Sequence, residues 1–583
     1  MYTIETSKDN LRIIKIKTDD KEKYLGSYYN HKRDIDKFIK DIGEIYDNSV
    51  IVTYGIIDGE HLLELSKIKE KTFKIIVFEK DEELIKRIYN DGYYDNILKD
   101  KRIKIFKYDE KKIEDIFLNE LNGLNIYNTR MFNNDILLEY NNKEMITISK
   151  ILKKIINSMV INNNTINYFS ERWFECFIKN FKYTLSSTFL EDIKDKFKNK
   201  PAIIVSAGPS LEKNINLLKE CNEEFIIITG GRTLSKLQEI NVKPDFLVVI
   251  DGDERSYDLV KNNLNINTPL IFCNYTNEKI MKKHKGKKIY DCTGIDFISP
   301  IVGKNQNPRF GGGSVAHACI NTAIHLGCNI ITFIGQDLAY TDDKVHANFC
   351  EFTNEKYKDE EVLENIKSEI DIFIEDIYGN KVRTNPTLNA FKESIEEIIS
   401  KNKNIKFINA TEGGAFINGA EIMMLKDVIS LYGNDRIENK VLDLKPTLEK
   451  EEKDKVINEF EKSIKYLRDI KIKCSNLIDL NKKLKIKYNK KELVEYNKIL
   501  IKMDILRDEV EKLYLNVNYI RSLIYPIAIR MELNDVWRIE DSDNEKEKFK
   551  KLYNKTEFLY STIKKNVEYA LNFIDKEWNK DGV

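Results

Sequence analysis

Short apolar runs rich in branched residues alternate with polar turns and amphipathic stretches over most of this chain, and the alternation stops near residue 440. In the middle, runs at 202–205, 225–229 and 246–250 recur at strand–helix–strand spacing, and another at 330–334 follows an apolar helical stretch ending at Leu326 and Gly327. Together they predict buried parallel strands of an α/β domain. Runs at 49–54 and 73–78 predict a smaller unit of the same kind near the start. Residues 111–195 read as mostly helical, with polar breaks at Asn133-Asn134, Asn141-Asn142 and Asn162-Asn163-Asn164. Beyond 440 Gly and Pro almost vanish, and Val456, Phe460, Ile464 and Leu467, then Leu506, Val510, Leu513, Val517 and Ile520, keep helical spacing. Pro526 interrupts or ends one of these helices, and 541–544 is a loop between two of them. The predicted organisation is an N-terminal, degenerate Rossmann-like α/β domain (1–150), a central Rossmann-like α/β domain (151–435) and a C-terminal α-helical domain (436–583).

The central runs are punctuated by chemistry. The first leads straight into Ala207-Gly208-Pro209-Ser210 and an amphipathic stretch, the way a strand feeds a helix at a phosphate site. Glycine lets backbone approach a ligand, proline suits the first helical position because it has no N–H to orphan, and the amides that follow are expected to point at an anion. The next two runs lead into Gly230-Gly231 and Asp251. Further along, Arg309-Phe310-Gly311-Gly312-Gly313-Ser314 makes a second backbone-exposing loop at a helix start, and the strand after it leads into Gly335-Gln336-Asp337-Leu338-Ala339-Tyr340. The two clusters are expected to face one cleft that holds a nucleotide. The N-terminal unit imitates a dinucleotide fold with Gly55, Gly59 and Glu79, but its glycine pattern is incomplete. A structural role is expected there, with Glu79 a solvated strand end. Trp173, Phe174 and Phe177 share a helix and read as packing between domains.

At 583 residues the chain exceeds what one hydrophobic core usually serves. Lys plus Arg and Asp plus Glu both number 95, so no net field favours nucleic acid or an anionic membrane. No run approaches the ~20 apolar residues of a membrane span, and residues 1–10 lack the basic start and apolar core of a secretion signal. A soluble, cytoplasmic protein is the expectation. The 8 cysteines form no C-x-x-C pair, which fits reduced thiols and supplies no zinc site.

The segments SAGPSLEKN, KPDFLVVID, GGGSVAHACINTAIHLGCNIITFIGQDLAYT and INATEGGAFINGAEIM, in that order, resemble the central domain of the Maf (motility-associated factor) proteins over residues 160–430. That domain is similar to bacterial sialyltransferases and belongs to a group that includes MptE-like pterin pyrophosphokinases. The resemblance implies a sialyltransferase-like centre and transfer of a nonulosonic acid, pseudaminic or legionaminic acid or a relative, from its CMP form to Ser or Thr hydroxyls of flagellin. Flagellin and the CMP-nonulosonic acid are the implied partners, with no nucleic acid and no membrane. The particular sugar, the stereochemical outcome and the oligomeric state are left open. By position, the resemblance places the nucleotide-sugar on Ala207, Gly208, Pro209 and Ser210, on Gly230 or Gly231, on Asp251, on Gly312, Gly313 and Ser314, and on Gln336 and Tyr340.

The donor's leaving group is a phosphomonoester dianion that amides, hydroxyls and a helix dipole can stabilise, so no cofactor and no metal are expected. Two positions depart from the sialyltransferase pattern. Asp251 stands where those enzymes have Asn, and a carboxylate beside a phosphate is unfavourable, so it is assigned to ribose hydroxyls or the base. Residues 382–385, where the catalytic histidine would fall, contain none. His346 is then the candidate base, a near-neutral imidazole able to take a proton from a Ser or Thr hydroxyl, with a loop histidine bonded to backbone as the plain alternative. Asp337 and Glu412 are rival bases, although Asp337 could cap a loop and Glu412 could orient the sugar's amide groups. His317 and His325 read as structural. Asp251-Gly252-Asp253 also mimics the Asp-x-Asp of metal-dependent glycosyltransferases, which would favour a UDP-sugar. Two other functions stay open: pyrophosphate transfer from ATP to a 6-hydroxymethylpterin, which needs a triphosphate site with magnesium, and a non-enzymatic flagellin-binding assembly factor.

Overall fold

The computed structural model describes residues 2–17, 22–68, 71–132, 142–292, 295–304, 313–341, 343–350, 352–358, 360, 371–433, 435–540 and 542–581. The chain forms two compact units, one of residues 1–170, 471–510 and 522–566, the other of 171–470, 511–521 and 567–583. The helical segment beyond 440 therefore contributes to both, and its Lys450–Asn489 helix begins in the second unit and ends in the first.

The first unit opens with an antiparallel three-stranded sheet, β1 (Tyr2–Thr6), β2 (Arg12–Lys17) and β3 (Glu22–Tyr24), which the sequence reading missed. A parallel sheet follows, made of β4 (Val50–Tyr54), β5 (Lys74–Glu79), β6 (Ile103–Lys107) and β7 (Thr129–Phe132) in the order β6-β5-β4-β7. Glu79 is not a solvated strand end. It is 7% exposed, and its carboxylate accepts the amides of Ile56 at 2.9 Å and Asp81 at 2.8 Å. The turn after β4 does curl like an anion loop, with positive φ at Gly55, Ile57 and Gly59. The anion its Ile56 amide meets is the protein's own carboxylate, which gives the degeneracy of this Rossmann-like unit a physical cause.

The Asn142–Leu185 helix runs unbroken through Asn162-Asn163-Asn164. The expected break is absent because Asn163 is buried, its amide donating to the Gly123 carbonyl at 2.6 Å and the Tyr127 hydroxyl at 3.0 Å. Asn133, Asn134 and Asn141 lie outside the described residues. Pro526 sits inside the Arg521–Leu533 helix rather than at its end.

The second unit is built on a nine-stranded, wholly parallel sheet. Its strands are β8 (Thr188–Phe189), β9 (Pro201–Val205), β10 (Ile226–Gly230), β11 (Phe246–Val249), β12 (Leu270–Phe272), β13 (Lys288–Tyr290) and β14 (Ile330–Ile334). A separate hairpin of β15 (Ile372–Glu375) and β16 (Lys381–Thr384) precedes the last two, β17 (Lys406–Asn409) and β18 (Glu421–Ile422). The sheet order is β18-β17-β14-β9-β10-β11-β12-β13-β8. Alternate residues feed two cores: Ile204, Ile228, Val248 and Phe333 enter one, and Ile203, Val205, Ile227 and Ile334 the other. Burial on both faces is why these strands read as continuous apolar runs. Because β9 lies between β10 and β14, chain order reverses there, and an open parallel sheet has its crevice at such a point.

Trp173 stacks on Tyr275 at 4.6 Å, Phe174 lies 5.9 Å from Phe573, and Phe177 stacks on Tyr519 at 5.5 Å. All six belong to the second unit, and Phe573 and Tyr519 come from the segment beyond 435, so this aromatic group joins the central and C-terminal segments within that unit. The 8 cysteines are all buried and free. No helix among the described residues is long and apolar enough to cross a membrane.

Replacing Glu79 by Ala should leave the Ile56 and Asp81 amides without their acceptor and destabilise the first unit by about 1–3 kcal/mol, measurable by urea unfolding. Unchanged stability would mean that solvent replaces the carboxylate freely.

Candidate functional site

A cavity of about 380 Å³ opens at the carboxyl ends of β9, β10, β11 and β14. It brings together the two glycine clusters. Ala207, Gly208, Gly230, Gly231, Asp251, Gly313, Ser314, Gln336, Asp337 and His346 all line it. Pro209, Ser210, Tyr340 and Glu412 are not among its lining residues, and Gly312 lies outside the described residues.

The turn after β9 differs from the expectation. Gly208 is followed by a helix of only four residues, Leu211–Asn214, and none of the amides from Ser210 to Lys213 is left for a ligand. Ser210 N–H donates to Asp337 Oδ2 at 3.0 Å, and the amides of Leu211, Glu212 and Lys213 donate to the carbonyls of Gly208, Pro209 and Ser210. The Ser210 hydroxyl also donates to Asp337, at 2.6 Å, and Ser210 is 1% exposed. Glycine is needed at 208 for internal reasons: a Cβ there would lie 2.2 Å from Asp337 Oδ1 and 2.5 Å from the Gly335 carbonyl. Gly335 itself has φ +62° and would press a Cβ to 2.2 Å from the Ser206 carbonyl.

The helix start that lines the cavity is the other one. Ser314 caps the Val315–His325 helix, its hydroxyl oxygen accepting from Ala316 N at 3.2 Å, and residues 313–316 line the cavity. This helix comes so close to β10 that a Cβ on Gly230 would meet Val315 Cγ1 at 2.9 Å. A capped start keeps the positive end of the dipole aimed into the cavity.

The acidic groups differ in what they can do. Asp337 is buried, which raises its carboxyl above the usual range against the opposing effect of its Ser210 and Thr341 donors. Asp253 caps the Glu254–Val260 helix by accepting Ser256 N at 2.8 Å, an ordinary loop acid in this respect. Asp251 lines the cavity; its carbonyl accepts the Asn277 amide at 3.0 Å, and its carboxylate has no hydrogen-bond partner among the described residues; the protein around it, then the charge of Asp253, pushes its carboxyl up to about 6. Glu412 offers its backbone carbonyl to Lys213 at 2.6 Å, and the Tyr340 hydroxyl accepts from Asn385 at 2.9 Å.

His346 does not have the near-neutral imidazole expected of it. Burial, then the Arg232 cation, holds its pKa well below the usual value, and its ring bonds the Ala207 backbone. His317 and His325 are structural, bonding the Phe391 and Leu190 carbonyls. Residues that the motifs did not reveal are Arg232, Arg255 and Phe352, all on the cavity wall. The only signal for the arginines was position: one follows Gly230-Gly231, the other follows the Asp251 loop.

Fold and site together define a doubly wound α/β domain whose cavity lies at the switch point, with a capped helix start on its wall. Within this unit, residues 175–343 match the family model described as 6-hydroxymethylpterin diphosphokinase MptE-like. The chain is 27% identical over 164 residues to the 6-hydroxymethyl-7,8-dihydropterin pyrophosphokinase of Methanocaldococcus jannaschii, an alignment covering 25% of this chain and 63% of that protein. It thus spans less than two thirds of that relative's length. Over 99% of its length the chain shares the fold of a MAf glycosyltransferase from Magnetospirillum magneticum AMB-1, with a TM-score of 0.59, 12% identity and 94% of that chain covered. Both likenesses read from the motifs, to Maf proteins and to the MptE-like group, are met by these findings.

The raised carboxyl of Asp251 carries a stability prediction. Its folded pKa of about 6 lies above the ordinary carboxyl value of 3.8, so the folded chain binds the proton more tightly than the unfolded chain does. Stability is undiminished below about pH 4, falls as pH rises from about 4 to 6, and stays reduced above. Asp251→Asn should therefore melt higher than wild type at about pH 7.5, with the gap closing toward pH 4. A gap independent of pH would remove the shifted carboxyl.

Proposed function

We propose that this chain is a glycosyltransferase that moves a nonulosonic acid, such as pseudaminic or legionaminic acid, from its CMP form to Ser or Thr hydroxyls of flagellin. The observation that carries the reading is the cavity at the sheet's switch point, lined by glycine-rich strand ends and a capped helix start, in a chain that has the fold of a Maf glycosyltransferase along nearly its whole length. In this reading the Val315 amide, the positive end of its helix and the Ser314 hydroxyl meet the phosphate, whose charge grows as the sugar–oxygen bond breaks, while the Ala316 and His317 amides stay on the Ser314 hydroxyl oxygen and carbonyl. The acceptor hydroxyl gives up its proton to a carboxylate. Asp251 suits that part better than His346, because it lines the cavity and its carboxylate is ionised at neutral pH with no hydrogen-bond partner among the described residues.

The pterin reading keeps support from the match of residues 175–343 to the MptE-like family. Calorimetry with CMP, UDP and ATP, each with and without magnesium, separates the two. Metal-independent CMP binding is expected; magnesium-dependent ATP binding would put the pterin kinase ahead, and no binding at all would favour a flagellin-binding scaffold.

With flagellin as acceptor, activity should survive EDTA and rise with pH through an inflection near 6 that Asp251→Asn abolishes and His346→Ala leaves in place. An inflection lost in His346→Ala instead would return the base role to the imidazole.

A further inference from the structure

Arg232 follows β10 and Arg255 lies in the Glu254–Val260 helix, and both line the cavity. Phe352 stands against both guanidinium groups, with ring-centroid distances of 4.5 Å to Arg232 and 5.7 Å to Arg255. The ring is held by a buried anchor. Asp258 accepts the Thr353 amide at 2.8 Å, the Thr353 hydroxyl at 2.9 Å and the Asn354 amide at 3.0 Å.

Two cations sharing one aromatic ring repel each other, and the ring offsets only part of that cost. Each already serves a structural partner, Arg232 the Cys350 carbonyl at 3.1 Å and Arg255 the Glu360 carboxylate at 3.1 Å. A guanidinium carries five N–H donors in a rigid fork, so a structural partner and an anionic ligand can be served together. The fork matches the two oxygens of a carboxylate.

We propose that Arg232 and Arg255, set by Phe352, form a subsite for an oxyanion of the donor, the carboxylate of its sugar, separate from the phosphate position at the start of the Val315–His325 helix. The inference rests on the nucleotide-sugar reading above and adds how the site selects an acidic sugar over a neutral one. A phosphate is the other source of the same chemistry. Asp258 is a positioning residue in this scheme, acting through Phe352.

Calorimetry on the full chain with two probes, CMP and CMP-sialic acid, tests the assignment. Arg232→Gln and Arg255→Gln should each weaken CMP-sialic acid by about tenfold or more while CMP stays within about threefold. Asp258→Asn, which loosens Phe352 without touching either cation, should weaken the sugar nucleotide and spare CMP. Equal losses for both probes would give the arginines to the phosphate and overturn the carboxylate assignment, and no loss for either would overturn the subsite. Failure of folded wild type to bind either probe would sink the nucleotide-sugar reading and this inference with it, an outcome distinct from the other two. Thermal melts establish that each variant folds, and Arg→Lys at the same positions, keeping charge but losing the fork, is expected to fall between wild type and Gln.

Discussion

The carboxylate of Asp337 ties the turn after β9 to the segment after β14, and the shape of the cavity depends on that tie. It takes the Ser210 amide and hydroxyl from one side and the Thr341 hydroxyl, at 3.0 Å, from the other. The Gly208 amide donates to the Gly335 carbonyl at 2.7 Å alongside. These contacts bridge the two strands between which chain order reverses, and they sit where added atoms cannot fit. Leaving one buried partner unsatisfied costs about 1–3 kcal/mol, so the arrangement resists opening. The consequence for function is indirect: the β9 turn is spent on structure, and the anion position proposed above falls to the helix that Ser314 begins.

A chain with 95 basic and 95 acidic residues has no net field, yet it makes a local one. Arg232, Arg255 and a helix start face the cavity together with Asp251. Burial and Arg232 hold His346 neutral, Asp253 is taken by the helix it caps, and Asp337 is taken by Ser210 and Thr341. Among the described residues the Asp251 carboxylate is left on the wall without a hydrogen-bond partner, beside two guanidinium groups and a helix start, the combination that the proposed transfer from an acidic sugar nucleotide to a hydroxyl would use.

The two units show the same strand-to-helix turn turned to different ends. In the first, Glu79 reaches back to the Ile56 amide, so the loop satisfies itself. In the second, Asp337 takes the Ser210 amide and hydroxyl, and the backbone of Gly208 and Gly335 stays on the cavity wall, which Asp337 itself also lines. One buried carboxylate removes a site; another shapes one.

The strands 201–205, 226–230, 246–249 and 330–334 and the helix from Val315 were legible from local order alone, because apolar period, glycine and a capping serine act over a few residues. The meeting of the two glycine clusters followed from strand spacing. The unbroken helix through Asn163 was not legible, since the partner that rescues it, Gly123, is 40 residues away. Nor was the fate of Ser210, whose hydroxyl is taken by a residue 127 positions on, nor the depressed imidazole of His346, nor the arginines gathered on Phe352. The sequence by itself determined the elements, their order and the glycines at their ends. Tertiary structure alone decided which donors remain for a ligand, because a hydrogen bond or a pKa depends on burial and on partners that only folding brings within a few ångströms.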